Sequence, residues 1–288
     1  MVSTIQQGLE QTTLSLGSLS DSAALDAQVL MAHVTGQPRS WILAHPETPL
    51  TPSQVSKLEA ALRELSEGRP LPYVVGHWEF FGLDFEVTPD VLIPRPETEL
   101  LVEKAFAWLE HRKDARSAID VGTGSGCIAI SLATRIRGLN LTATDISPRA
   151  LEVARRNAEK FSVADRIDFN CCDLLPPKTE TYELIVANLP YIPTKTMETL
   201  PVYGKEPTLA LDGGSDGLDL VRRLISLAPG YLSPGGMMLL EIESSQGMAA
   251  LSLAYDTFSH ASIHLHRDLA NRYRLIEVQT PAGHDRLP

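Results

Sequence analysis

Cysteine is scarce in this chain. Three of 288 residues are cysteine, Cys127, Cys171 and Cys172, two of them adjacent and none in a C-x-x-C spacing. An odd count without metal-ligand spacing leaves neither a disulfide framework nor a zinc site. It fits a reducing cytoplasm, with the thiols as small buried apolar side chains. Long apolar runs are also missing: none approaches the ~18 residues a membrane-spanning helix needs. Met1 to Glu10 carry no basic start and no apolar core, so no signal peptide is expected there.

Basic charge is in deficit. Lys and Arg number 25 against 36 Asp and Glu, a net charge of −11. Residues 1–75 hold four basic and seven acidic residues, and the remainder 21 and 29, so both parts are acidic. A duplex-binding protein needs a basic face to neutralise phosphates. The bulk charge therefore argues against nucleic acid as a direct partner, while a local basic patch stays open. No phosphate-loop pattern ending in Gly-Lys-Ser/Thr occurs anywhere.

What is present is ordinary globular material: 43% hydrophobic and 21% charged residues, enough chain for two domains and a sizeable core. Residues 1–75 read as a small helical domain. Ser20-Asp21 can start one helix, and Trp41-Ile42-Leu43 form an apolar knot. Thr51-Pro52 starts a further helix whose Val55, Leu58, Leu62 and Leu65 recur at helical spacing, with Gly68 to end it. The stretch from Leu71 to Val87 is aromatic and alternating, with Gly82 to turn it, and predicts a β-hairpin linker over 76–95. Pro96 opens a helix running to Trp108, with Glu97 and Glu99 at its positive end.

From residue 116 onward strands and helices alternate. Strands are predicted at Ser117–Gly122, Leu139–Asp145, Arg166–Cys171, Tyr182–Ala187, Met237–Glu243, Ile263–Leu265 and Tyr273–Gln279. Helices are predicted at Ile128–Arg135, Arg149–Phe161 and Asp219–Leu227. This is the pattern of a doubly wound α/β sheet. The link between the last two strands, turning at Asn271, is too short for a parallel crossover, so that pair should be antiparallel.

Three motifs sit at strand ends. The first strand feeds Gly122-Thr123-Gly124-Ser125-Gly126, whose glycines permit a tight turn and close approach of backbone to a ligand. A dinucleotide fingerprint would need glycine at 127, where Cys127 stands. Asp145 ends the second strand, 23 residues after Gly122, where a carboxylate can accept both hydroxyls of a ribose; the alternative is a role at the helix opened by Ser147-Pro148. After the third strand, Asp173 can reach an adenine edge or serve as a plain turn residue. The fourth strand ends in Asn188-Leu189-Pro190-Tyr191. The Asn188 side-chain oxygen and the Leu189 carbonyl can each accept one N–H of an –NH2 group, and Tyr191 can stack on the planar group that carries it.

Glycine loop, ribose acid and Asn-x-Pro-Tyr, in that order, resemble a class I S-adenosylmethionine-dependent methyltransferase acting on an amino nitrogen. More of the chain is similar to the bacterial release factor glutamine methyltransferases. The resemblance runs through Arg69–Tyr73, Gly76–Gly82 and Leu92-Ile93-Pro94-Arg95-Pro96-Glu97-Thr98-Glu99. It continues through Glu206-Pro207, Ala210–Gly214, Asp216-Gly217-Leu218 and Asp268-Leu269-Ala270. It covers nearly all of residues 69–279. The Ile-Pro-Arg-Pro-Glu-Thr-Glu block is its most specific piece.

The resemblance implies a seven-stranded methyltransferase sheet in a domain over 96–288, behind a substrate-recognition domain over 1–75. It implies S-adenosyl-L-methionine as cofactor, held by Gly122, Thr123, Gly124, Ser125, Gly126, Asp145, Asp173, Leu174 and Asn188, with no metal. It assigns catalysis to Asn188, Leu189, Pro190 and Tyr191. The substrate becomes the Gly-Gly-Gln glutamine of peptide chain release factors, methylated in the cytoplasm by a monomer. Two departures stand out. The family's usual Asn-Pro-Pro-Tyr has Leu189 here, at a position whose assigned role is a backbone carbonyl that any residue supplies. Leu174 follows Asp173 where an aromatic is common, so the adenine contact should be apolar without stacking. Other readings share parts of the pattern: a glutamine methyltransferase of a ribosomal protein, an adenine amino-group methyltransferase, or a nucleoside-binding module that gives Asn188 and Tyr191 no work. Trp78, Phe80, Phe81 and Phe85 read as hairpin or inter-domain packing, or as a platform for the release factor. Glu97 and Thr98 either line the pocket or start a helix. The stretch Glu206–Gly217 either closes over the substrate or is a surface loop, and His264-x-His266 lacks a third ligand for a metal.

Overall fold

The computed structural model describes residues 3–18, 20–112, 117–177 and 180–282; the outermost residues of the two expected domain ranges, 1–2 and 283–288, lie outside them. The chain divides into two compact units, Met1–His77 and Trp78–Pro288.

The first unit is helical: α1 Ile5–Leu16, α2 Ala23–Thr35, α3 Arg39–Ala44, α4 Pro52–Ser66 and α5 Leu71–Val75. Thr51 caps α4 in a reciprocal box with Gln54, the arrangement that Thr51-Pro52 announces. Its core gathers Ile5, Leu30, Met31, Ile42 and Leu58. The apolar knot at residues 41–43 is the short helix α3. The alternating stretch from residue 71 is not strand throughout. Leu71–Val75 forms α5, because Pro72 sits where a helix start loses no backbone N–H bond, and Gly76 ends the turn in the left-handed region.

A hairpin follows, β1 His77–Phe80 and β2 Leu83–Glu86, all but its first residue in the second unit. Its turn residues Phe81 and Gly82 both have positive φ, the geometry that matches strand twist. Phe81 accepts this conformation while its N–H donates to Glu99 and Arg135 lies over its ring. Phe80 and Phe85 are fully buried in the core of this unit.

A seven-stranded sheet follows, built from β3 Ser117–Val121, β4 Asn140–Asp145, β5 Ile167–Cys171, β6 Tyr182–Ala187, β7 Leu232–Glu241, β8 Ser262–Arg267 and β9 Tyr273–Gln279. Its order is β5-β4-β3-β6-β7-β9-β8. The first five are parallel, and β9 runs antiparallel to both neighbours, as the short β8–β9 link requires. The helices are α6 Glu99–His111, α7 Cys127–Arg135, α8 Pro148–Lys160, α9 Thr194–Met197, α10 Asp219–Leu227 and α11 Gly247–Thr257. The sequence reading contains no α11: its apolar residues form no clear stripe beside the stronger strand signals around it. Alternation sorts the central strands. Ala118, Leu184, Val186 and Leu239 face the layer holding α6 and α7, whereas Ile119, Ile185, Met238 and Leu240 face α10 and α11. Burial on both faces is why these strands read as nearly continuous apolar runs.

Candidate active site

The chain leaves β3 towards β4 and β5, then returns to β6 on the other side. That reversal opens a crevice at the carboxyl ends of β3 and β6, where open α/β sheets bind ligands. A cavity of about 440 Å3 lies there, within the size range of small-molecule sites. The loops after β3, β4, β5 and β6 supply its floor, and the segments around Arg95 and Leu209 supply its rim. Of the residues expected to hold a cofactor or substrate, Gly122, Thr123, Gly124, Ser125, Asp145, Asp173, Leu174, Asn188, Leu189 and Pro190 line it. Gly126 and Tyr191 do not.

The glycine loop is fastened from below and from the side. Gly126 caps α7 with positive φ, and a Cβ there would lie 2.8 Å from the Ile130 side chain and 3.2 Å from Ala154, so this glycine lets α7 and α8 approach. Asp120, fully buried in β3, accepts from the Thr123 hydroxyl at 2.7 Å and the Ala129 N–H at 3.2 Å. Its second oxygen has no hydrogen-bond partner among the described residues, and burial pushes its pKa up to about 7. Asn157 on α8, also fully buried, donates to the Ser125 carbonyl at 2.9 Å and the Glu86 carbonyl at 3.0 Å, and accepts from the Glu86 N–H at 2.8 Å. It thereby ties the hairpin to the loop. Neither residue was assigned a role from sequence. A buried Asn in an otherwise amphipathic helix, and an acid inside an apolar strand, are the signals that could have found them.

Asp145 is fastened through both of its carboxylate oxygens. One oxygen accepts from the Gly124 N–H and the other from the Ser147 N–H, each at 2.9 Å, while Ser147 itself caps α8. Burial raises its pKa against these stabilising bonds. The Asp173 carboxylate pairs with Arg223 at 2.6 Å on the rim, and Leu174, in a left-handed conformation, presents a buried apolar side chain.

At the end of β6, Asn188 donates through Nδ2 to the Thr98 hydroxyl at 2.9 Å, which leaves its side-chain oxygen as the free acceptor. Thr98 is buried, stands at the N-terminal boundary of α6 without a side-chain capping bond, and lines the cavity, so its two sequence readings meet in one residue. Leu189 is buried with its side chain over Gly122: a Cβ on that glycine would stand 3.0 Å from Leu189 Cδ2. No hydrogen bond to the Leu189 carbonyl forms among the described residues. Tyr191 points behind the cavity, its hydroxyl donating to Glu241 at 3.3 Å. Burial, with Glu241 beside it, raises its pKa.

The stretch Glu206–Gly217 is fastened on both sides. Glu206, buried, pairs with Arg95 at 2.5 Å and accepts from the Ile93 N–H at 3.2 Å, joining two family blocks across the rim. Its far end lies on the Asn188–Tyr191 segment. Ile192 bridges Asp212, and Gln246 donates to the Tyr191 carbonyl at 2.8 Å. Gly217 has positive φ, and a Cβ there would meet the Tyr191 oxygen at 2.2 Å. His266 pairs with Glu277 and His264 with Ser262, and among the described residues no cluster of acids, histidines and cysteines could hold a metal. No described helix is long and apolar enough to cross a membrane.

Residues 7–76 match the family model PrmC N-terminal domain, and residues 97–201 match Methyltransferase small domain. The chain is 41% identical to the release factor glutamine methyltransferase of Moorella thermoacetica, over 94% of this chain and 96% of that one. It is 39% identical to the enzyme of the same name from Cereibacter sphaeroides, over 91% and 93%. Among solved structures, the N-terminal domain of human METTL16 in complex with SAH shares the fold at a TM-score of 0.52 and 15% identity, covering 87% of this chain and 93% of that one.

Proposed function

The chain belongs to the release factor glutamine methyltransferases, and on that premise we propose that Asn188 and the Leu189 carbonyl hold the side-chain amide of the target glutamine. The protein is an S-adenosylmethionine-dependent protein-glutamine N-methyltransferase whose substrate is a peptide chain release factor. The glutamine is that of the Gly-Gly-Gln loop.

The cavity's donors and acceptors suit the cofactor. The glycine loop offers close backbone approach, Asp145 offers carboxylate lone pairs at the ribose position, and Leu174 offers an apolar contact beside Asp173. When bound, S-adenosylmethionine supplies a methyl group made electrophilic by its sulfonium sulfur. The amide nitrogen is a poor nucleophile because its lone pair is delocalised, so placement is the main task. Two acceptors, the Asn188 oxygen and the Leu189 carbonyl, draw the two N–H bonds to one side and stabilise the positive charge that grows on nitrogen. The surplus proton leaves after transfer, and no strong base is needed. The bond from Asn188 to Thr98 is the observation that carries this reading, because it commits the asparagine oxygen to the role of acceptor.

The acidic chain suits a protein partner better than nucleic acid, which separates this reading from that of an adenine methyltransferase. Transfer of labelled methyl to purified release factor, beside ribosomal protein and DNA, tests the assignment. Label is expected on release factor alone, and none once the Gly-Gly-Gln glutamine is replaced. Asn188→Ala should lower kcat by about 10²–10³ while S-adenosylmethionine binding persists; wild-type turnover in that variant would remove Asn188 from the reaction.

A further inference from the structure

One large apolar side chain stands out into solvent at the cavity rim. Leu209 is 57% exposed, although Pro207 and Ala210 beside it are half-buried and Leu211 is buried. It shares the apolar part of the rim with Leu92 and Pro94, from the segment around Arg95. Hydrogen bonding to cofactor or amide gives it no work.

The backbone under Leu209 is held at both ends. Thr208–Ala210 is a single tight turn, closed by the Ala210 N–H on the Pro207 carbonyl at 2.9 Å and the Leu211 N–H on the Thr208 carbonyl at 3.0 Å. Ahead of the turn, Glu206 is fastened to Arg95 and to the Ile93 N–H. Behind it, the Ile192 N–H donates to the Leu211 carbonyl at 3.0 Å and the Gly213 N–H to the Ile192 carbonyl at 2.8 Å. The strip is pressed onto the segment that begins at Asn188: a Cβ on Gly213 would lie 2.7 Å from Tyr191 Cα and 2.8 Å from the Pro190 oxygen. A leucine on a loose loop swings away from a bulky visitor. Leu209 rides on a clamped turn, so its backbone stays at the rim.

Asn188 lies on the cavity floor and Leu209 on its rim. A glutamine side chain is short. To lay its amide on the Asn188 oxygen and the Leu189 carbonyl, it brings its own backbone down to rim level, and the residue before it passes Leu209. Glycine there keeps the backbone thin and opens paths that a Cβ would close.

We propose that Leu209 is a specificity-determining residue: it closes the rim to a side chain on the residue preceding the target glutamine, so that glycine is required at that place. This rests on the reading of the substrate as the Gly-Gly-Gln glutamine. It makes the choice of substrate steric at this point, set by an apolar side chain and not by a hydrogen bond.

The test uses intact release factor carrying either Gly-Gly-Gln or Gly-Ala-Gln, with wild type, Leu209→Ala and Leu227→Ala. Wild-type kcat/KM should be at least about tenfold lower on Gly-Ala-Gln, the scale on which one misfitting carbon counts in an apolar contact. Leu209→Ala should gain on Gly-Ala-Gln and bring the two substrates within about threefold of each other. Damage to the fold lowers rates, so a gain on one substrate reports the rim itself. S-adenosylhomocysteine affinity by calorimetry should stay within about twofold of wild type, as for other exposed substitutions. Leu227, 44% exposed at the end of α10 and outside the cavity wall, should leave the substrate ratio unchanged when replaced. Equal wild-type rates on the two substrates overturn the proposal, and so does a Leu209→Ala enzyme with the wild-type ratio. A wild type that leaves Gly-Gly-Gln unlabelled counts against the release-factor reading and takes the inference with it, whereas an unaltered ratio beside an active wild type counts against Leu209 alone.

Discussion

Replacing Asn157 with alanine tests whether the hairpin and the cofactor loop are one mechanical piece. The side chain makes three hydrogen bonds, to the Glu86 N–H, the Glu86 carbonyl and the Ser125 carbonyl, in a position with no exposed surface. Each such bond contributes about 1 kcal/mol net, and a buried group left without a partner costs about 1–3 kcal/mol more. One donor and two acceptors are orphaned, so the expected destabilisation is about 3–5 kcal/mol; a water entering the vacated space would move the loss towards the lower figure. Urea unfolding followed by tryptophan fluorescence suits the purpose, because Trp78 lies in the hairpin itself. Amide hydrogen exchange adds a local readout: the Glu86 N–H should lose its protection. The Ser125 carbonyl also loses its tether, so S-adenosylhomocysteine should bind about tenfold more weakly, the equivalent of one lost hydrogen bond. Asn157→Asp keeps the acceptor for Glu86 but surrenders both donors and buries a charge, so it should be at least as damaging. A loss below about 1 kcal/mol with Glu86 still protected would refute the reasoning.

Gly217→Ala places a Cβ 2.2 Å from the Tyr191 oxygen and 2.4 Å from the Gln246 amide, at a φ of +77°. Left-handed strain of about 1–2 kcal/mol and loss of the Gln246 tether should lower kcat more than cofactor affinity; equal losses in both would mean the segment does not depend on that packing. Asp120→Asn addresses pH. An acid raised from 3.8 to about 7 in the folded protein keeps its full stability below pH ~4 and loses it as pH rises to ~7, because the unfolded chain ionises first. The loss is about 4 kcal/mol. The variant should flatten that slope of stability against pH between 4 and 7, leaving the similar contribution of Glu241, whose pKa burial likewise pushes up to about 7, and an unchanged slope would remove Asp120 as its source.

Periodicity located elements well where one physical demand dominates. Tyr182–Ala187 and Tyr273–Gln279 are strands over the predicted residues, because burial on a sheet leaves an apolar signature that little else imitates. Leu71–Val75 went the other way: five alternating residues suit a strand, but Pro72 and Gly76 bracket a single helical turn. Within the site, Gly122, Asp145 and Asn188 were legible because each stands at a strand end in a recognisable order. Asn157 and Glu241 were not, and Thr98 was legible only as one residue with two alternative roles. Their partners lie 90 residues away for Thr98 and Asn188, 71 for Asn157 and Glu86, and 50 for Glu241 and Tyr191. A single polar residue does not disclose a partner at such distance. Tyr191 shows the converse: the motif implied a stacking ring, yet its hydroxyl lies against Glu241 behind the cavity.

The cavity wall runs from Pro89 to Arg223, so all of it is encoded downstream of residue 77, where the first compact unit ends. For inheritance, this keeps the whole wall of the cavity within one contiguous stretch of the chain. Recombination or divergence upstream of residue 77 leaves every residue of that wall in place, and the two halves are free to change at different rates.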